Sequence, residues 1–170
     1  MPTLVGVAAA IVAAGGQLQA AAPPIGSLRY GGLVYDVRAV YRGAGLSGQP
    51  PYCAERGDEL VMVVYTVRNG GPDGLSGPAV PRVTLFDPRG RPTEPDRRRT
   101  EALAFKISPP MTLRHGRLER GEIRVLADIF SVPRGDIDDG TWKIRPGRSG
   151  ADTGIIIPQP RTSQSAECDR

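Results

Sequence analysis

A chain of 170 residues, 39% hydrophobic and 24% charged, is long enough for one domain with a real core and too short for two full ones. Its formal net charge is +4, and because Lys106 and Lys143 are the only lysines, nearly all of the positive charge is arginine. One histidine and two cysteines outside any Cys-x-x-Cys pair exclude metal sites built on several histidines within one chain, and argue against a zinc site or a dithiol oxidoreductase.

Residues 1–16 are poor in charge and carry an apolar run at 4–14, followed by small residues up to Ala22. An apolar stretch of about a dozen residues ahead of small ones is the layout of a secretory signal, and is short for a membrane span. No Lys or Arg precedes the run, and an Ala-rich tail is the alternative reading. The expectation is an exported protein, periplasmic or secreted, with residues 1–22 as a signal peptide, 23–158 as the domain and 159–170 as a polar tail. No transmembrane span is expected in the mature chain.

Residues 23–32 read as a leader. In residues 33–41 an apolar set, Leu33, Tyr35, Val37, Ala39 and Tyr41, alternates with Val34, Asp36, Arg38, Val40 and Arg42, which predicts a strand with one buried face. A loop rich in Gly, Pro and Ser occupies 43–57. The run 59–69 predicts the central strand, with Val61, Val63, Tyr65 and Val67 on one side and Leu60, Met62, Val64, Thr66 and Arg68 on the other. Both faces are apolar early in the run, so one should lie on the core and the other be partly covered. Gly70-Gly71-Pro72 stops it.

Residues 82–86 predict a short strand running into Asp87-Pro88-Arg89-Gly90, a β-turn with Pro where its fixed φ fits and Gly at the last position. Residues 91–99 are too polar and proline-broken for a core strand, and 102–107 read as another short strand ended by Pro109-Pro110. Along 122–132, Ile123, Val125, Ala127 and Ile129 share one face while Leu126, Phe130 and Val132 share the other, and either set suits the core. With 142–145 and 154–157 the total is about seven strands, an all-β, antiparallel, immunoglobulin-like sandwich.

Several of these stretches resemble a known family. The strand ending Thr66-Val67-Arg68-Asn69, then Leu85-Phe86-Asp87-Pro88-Arg89-Gly90-Arg91-Pro92, Leu118-Glu119-Arg120-Gly121-Glu122 and Phe130-Ser131-Val132-Pro133-Arg134-Gly135 are similar to the telokin-like, immunoglobulin-like extracellular domains of unknown function in bacterial secreted proteins and lipoproteins. The resemblance covers roughly residues 33–145. It implies a β-sandwich outside the cytoplasm and carries no catalytic residues or cofactor.

Few residues suggest chemistry. In an exported chain Cys53 and Cys168 invite a disulfide, which in the chain-entropy model contributes on the order of 4–5 kcal/mol for a loop of this length; two unrelated thiols are the alternative. His115 lies among Arg114 and Arg117 with no motif marking a nucleophile, so a surface loop histidine is the simpler reading. Asp136, Asp138 and Asp139 offer carboxylates for Ca²⁺ but lack the calcium-loop spacing, and a solvated acidic turn is the competing reading. Arg89, Arg91, Arg97, Arg98 and Arg99 are candidates for anion contact, against a solvated loop; no aromatic residue interleaves with them, which argues against nucleic acid. The functional expectation is a non-enzymatic module binding an envelope or extracellular macromolecule, without a cofactor. The alternative is an arginine-driven binder of an intracellular polyanion or nucleic acid.

Overall fold

The computed structural model describes residues 23–45, 53–70, 80–107, 118, 121–137, 140–147, 154–157 and 161–162. Among these the chain forms strands β1 (Gly26–Tyr30), β2 (Leu33–Gly43), β3 (Asp58–Asn69), β4 (Val83–Phe86) and β5 (Pro92–Thr93). A helix, α1 (Arg97–Ile107), precedes β6 (Ile123–Pro133), β7 (Lys143–Pro146), β8 (Ile155–Ile156) and β9 (Arg161–Thr162). One sheet has the order β1-β2-β3-β6, the other β5-β4-β7-β8, and all of these neighbours are antiparallel. β8 approaches β1 and β5 approaches β6, so the sheets stack in matching order as an all-β sandwich compatible with an immunoglobulin-like arrangement.

The core between the sheets is apolar and continuous. Val61, Val63, Tyr65 and Val67 of β3 meet Leu126, Phe130 and Val132 of β6 and, across the sandwich, Val83, Leu85 and Ile144. Alternation along β3 therefore behaves as the sequence predicts. Its second set, Leu60, Met62 and Val64, joins Ala127 and Ile129 in a separate cluster on the outer face of the first sheet. The choice left open for β6 is thereby settled, with Leu126, Phe130 and Val132 inward and Ala127 and Ile129 outward.

Four expectations are corrected. Residues 102–107 are not a strand but the later part of α1, whose Ala102 packs on the outer cluster. Uninterrupted alternation fails in β2: the register slips between Val37 and Ala39, leaving Arg38 as the extra residue of a β-bulge. Before the bulge Leu33, Tyr35 and Val37 face the core; after it Val40 does, and Ala39 and Tyr41 turn to the outer cluster. The leader at 23–32 contains β1, paired with β2 from Gly26↔Val37 to Tyr30↔Leu33. Within the tail, β9 pairs in parallel with Tyr41 and Arg42 of β2, so these short edge strands raise the number above the seven expected.

α1 reaches the outer face by passing the free edge of β6. There the Asp96 N–H donates to the Ile129 carbonyl at 2.7 Å, and the Ile129 N–H donates to Thr100 Oγ1 at 3.1 Å. Both outward-pointing backbone groups of Ile129 are thus satisfied by the first turn of the helix.

Candidate functional site

The candidate arginines fall on two consecutive stretches at one corner, the turn after β4 and the start of α1. In the first, the Gly90 N–H donates to the Asp87 carbonyl at 2.9 Å, closing the predicted β-turn, and Gly90 takes the positive φ of 77° that such a position favours. The Asp87 carboxylate accepts from the Arg89 N–H at 2.9 Å, the Arg91 N–H at 2.8 Å and Arg91 Nε at 2.5 Å. Burial pushes the Asp87 carboxyl up, but these hydrogen bonds and the Arg91 charge outweigh it and hold the group below its ordinary value.

The second is the start of α1. Asp96 is its N-cap, with Oδ1 accepting the Arg99 N–H at 2.9 Å and its carbonyl accepting the Thr100 N–H at 2.9 Å. The Arg99 guanidinium turns back onto the Asp96 carboxylate and also donates to the Cys53 carbonyl at 3.0 Å. Burial again raises the Asp96 carboxyl, and again the backbone and side-chain hydrogen bonds from Arg99 prevail and lower it. Through Arg99 the helix start is tied to the end of the 43–57 loop. At the other end of β3 the Gly70 N–H donates to the Gly32 carbonyl at 3.1 Å.

The five arginines consequently do different things. Arg99 is half-buried and structural, and Arg91 holds the Asp87 turn. Arg97 lies 3.8 Å from Glu101, which also receives Arg82 at 3.6 Å. Arg89 and Arg98 are exposed and form no ion pair with the described residues. Arg89 and Arg98 are therefore the exposed guanidinium groups that could meet an anionic surface.

Asp136 sits in a turn in which its N–H donates to the Pro133 carbonyl at 3.2 Å and its own carbonyl accepts Trp142 Nε1 at 2.8 Å. Its candidate companions Asp138 and Asp139 lie outside the described residues, as do His115 and Cys168. Among the described residues no three His, Cys, Asp or Glu side chains group as a metal site would require. No described helix is long and apolar enough to cross a membrane.

One polar residue escaped the sequence reading. Asp128 is 0% exposed on the inward face of β6 and accepts the Tyr65 hydroxyl at 2.7 Å. Tyr65 stacks on Tyr35 with ring centres 6.1 Å apart, and the Tyr35 hydroxyl donates to the Pro81 carbonyl at 3.2 Å. Burial first, then the nearby Tyr30 and Asp128, push the Tyr35 phenol well above its usual value. The signal was present: Asp128 shares the i, i+2 parity of Leu126, Phe130 and Val132.

No family model matches the chain, and no curated protein does. Among solved structures it is similar to a conserved hypothetical protein from Bacillus anthracis, with a TM-score of 0.53 and 14% identity over 72% of this chain and 87% of that one. At that identity the likeness concerns the fold alone.

Proposed function

We propose that this chain is a non-enzymatic, exported immunoglobulin-like module of the telokin-like kind that binds another macromolecule in the cell envelope or outside the cell. The observation that carries the reading is the corner where Arg99 joins the start of α1 to Cys53, so that two turn-rich segments sit on a rigid two-sheet frame beside the exposed Arg89 and Arg98. Recognition is commonly placed on such loops. A Cys53–Cys168 bridge belongs to the same proposal and would fasten the end of the chain to this corner.

The intact mass of the native protein from envelope and cytosolic fractions tests export and the bridge together. Trimming near Ala20 to Ala22, with a gain of about two protons' mass on reduction, is expected. A full-length, reduced cytosolic protein would overturn both. Cross-linking in the envelope is expected to capture one partner whose recovery falls when Arg89 and Arg98 are changed to Glu; an undiminished yield would move the contact surface elsewhere.

The exposure of Arg89 and Arg98 also supports a second reading, an intracellular polyanion binder. That reading requires retention on heparin with a steep salt dependence, and elution at low salt would remove it.

A further inference from the structure

β1 ends the first sheet on the side away from β6, and among the described residues its outer edge is open, since β9 pairs β2 farther along at Tyr41 and Arg42. It joins β2 through the two-residue turn Gly31-Gly32, whose φ values of 55° and 81° are those of a type I′ hairpin. Such a turn is closed by a hydrogen-bonded pair, here Tyr30↔Leu33, and bonded and non-bonded pairs then alternate down the ladder. Leu28↔Tyr35 and Gly26↔Val37 are therefore the bonded ones, and Ser27 and Arg29 turn their backbone N–H and carbonyl groups away from β2. Both residues are exposed. An added strand can engage those groups.

The side chains select the strand. On the outer face of the sheet Ser27 Oγ donates to Asp36 at 2.5 Å, so a carboxylate sits one strand in from the edge. Two residues along, exposed Arg29 forms no ion pair with the described residues. An antiparallel copy of β1 placed with Leu28 opposite Leu28 sets Arg29 of each copy opposite Ser27 of the other, within reach of the Asp36 beyond it. The two neighbouring registers that match the free backbone groups lose this. One sets Arg29 against Arg29, which repels; the other sets it against Ile25, whose N–H is already given to the Val37 carbonyl at 2.8 Å. In the first register Tyr30, 40% exposed, also falls opposite Gly26, an edge glycine that a facing aromatic ring can cover.

We propose that the chain pairs with a second copy of itself, β1 against β1 across a two-fold axis at Leu28, so that the two first sheets become one continuous sheet. Ser27 and Arg29 exchange main-chain hydrogen bonds with their counterparts, and the reciprocal Arg29 and Asp36 charges fix the register. The contact is isologous and closes at two copies. The Arg89 and Arg98 corner lies on the β6 side of the molecule, where the start of α1 is bonded to Ile129, and stays free in both copies.

Sedimentation velocity of the full chain, expressed in its own host and run over a micromolar to high-micromolar series, tests the pairing. A reversible monomer–dimer equilibrium that weakens with salt is expected. Dimerisation should be about tenfold weaker in Arg29→Glu. It should be lost in Arg29→Pro, which removes an outward N–H and no bond of the β1–β2 ladder. Arg29→Glu decides the matter if melting shows that Arg29→Pro does not fold. Arg98→Glu should dimerise as the wild type does. A wild type that stays monomeric across the series would overturn the proposal, and slow amide exchange at Ser27 and Arg29 in that monomer would put another segment of the chain on this edge. Dimerisation of Arg29→Glu as tight as that of the wild type would overturn it equally, as would a dimer lost in Arg98→Glu but kept in Arg29→Pro.

Discussion

The outer face of the first sheet is apolar and roofed by α1, whereas that of the second carries Thr84, Phe86, Lys143 and Arg145. β2, β3 and β6 run 11, 12 and 11 residues with apolar side chains buried on both faces, while the strands of the second sheet are two to four residues long and bury polar Thr84 and Arg145 beside Phe86 on their outer face. A sheet buried on both faces needs near-continuous apolar sequence. The second sheet is buried around β4 on its outer face as well, but there the layer is mixed, with Thr84 and Arg145 beside Phe86. The difference is thus one of chemistry, an apolar outer layer on the first sheet against a mixed polar and aromatic one on the second.

The sharpest way to break this comparison is Met62→Ala. If the outer cluster is a true second core, the cost is about 2–5 kcal/mol in urea unfolding, as for a buried residue between sheets; a loss below about 1 kcal/mol would mean that α1 covers little. On the second sheet Gly154→Ala should cost about 1–3 kcal/mol, because the new methyl meets Lys143 Cβ at 3.1 Å and the Ile144 carbonyl at 3.2 Å, neither the far end of a flexible chain. Melting at the wild-type temperature would show that the strands part freely there.

Thr100→Val keeps the shape of the helix start but removes the acceptor of the buried Ile129 N–H, for an expected loss of about 1–3 kcal/mol. Faster hydrogen exchange at Ile129 than at its ladder-bonded neighbours in β6 is the accompanying sign.

Asp96→Ala removes the N-cap and the partner of Arg99, for about 0.5–2 kcal/mol. Its effect should also depend on pH. The folded carboxyl lies below its reference value of 3.8, so its contribution is present above that value and is lost as pH falls through the lowered one. Wild type and variant should therefore converge in strong acid and differ most at neutral pH; a constant gap would place the loss elsewhere. Asp87 shares the direction of shift, so some acid sensitivity should survive in the Asp96 variant. The smallest effect is expected for Arg98→Gln, exposed and without an ion pair among the described residues, within about 0.5 kcal/mol.

How much was legible follows the same division. β3 and β6 could be read because long apolar runs with period two leave few alternatives, and the Asp87 turn because Pro88 and Gly90 stand where the turn needs them. β2 could be located, but its bulge could not, since Arg38 fits the polar face of a regular strand equally well. α1 was missed because Ala102 to Ile107 alternates passably on its own. Asp96 as a cap ahead of eleven residues free of Gly and Pro was the signal for a helix. The candidate anion cluster was visible as composition, but not its partition, which depends on Asp87, Asp96 and Cys53 arriving beside particular guanidinium groups.

The two hydrogen bonds at Ile129 also bear on how the molecule behaves at high concentration. β6 ends its sheet, and an open strand edge is a template on which another copy can lay a strand. With the Ile129 N–H and carbonyl already engaged by Thr100 and Asp96, an incoming chain would have to peel the first turn of α1 away before a continuous ladder could form. The helix start therefore serves as a guard against self-templated aggregation as well as a cover for apolar surface.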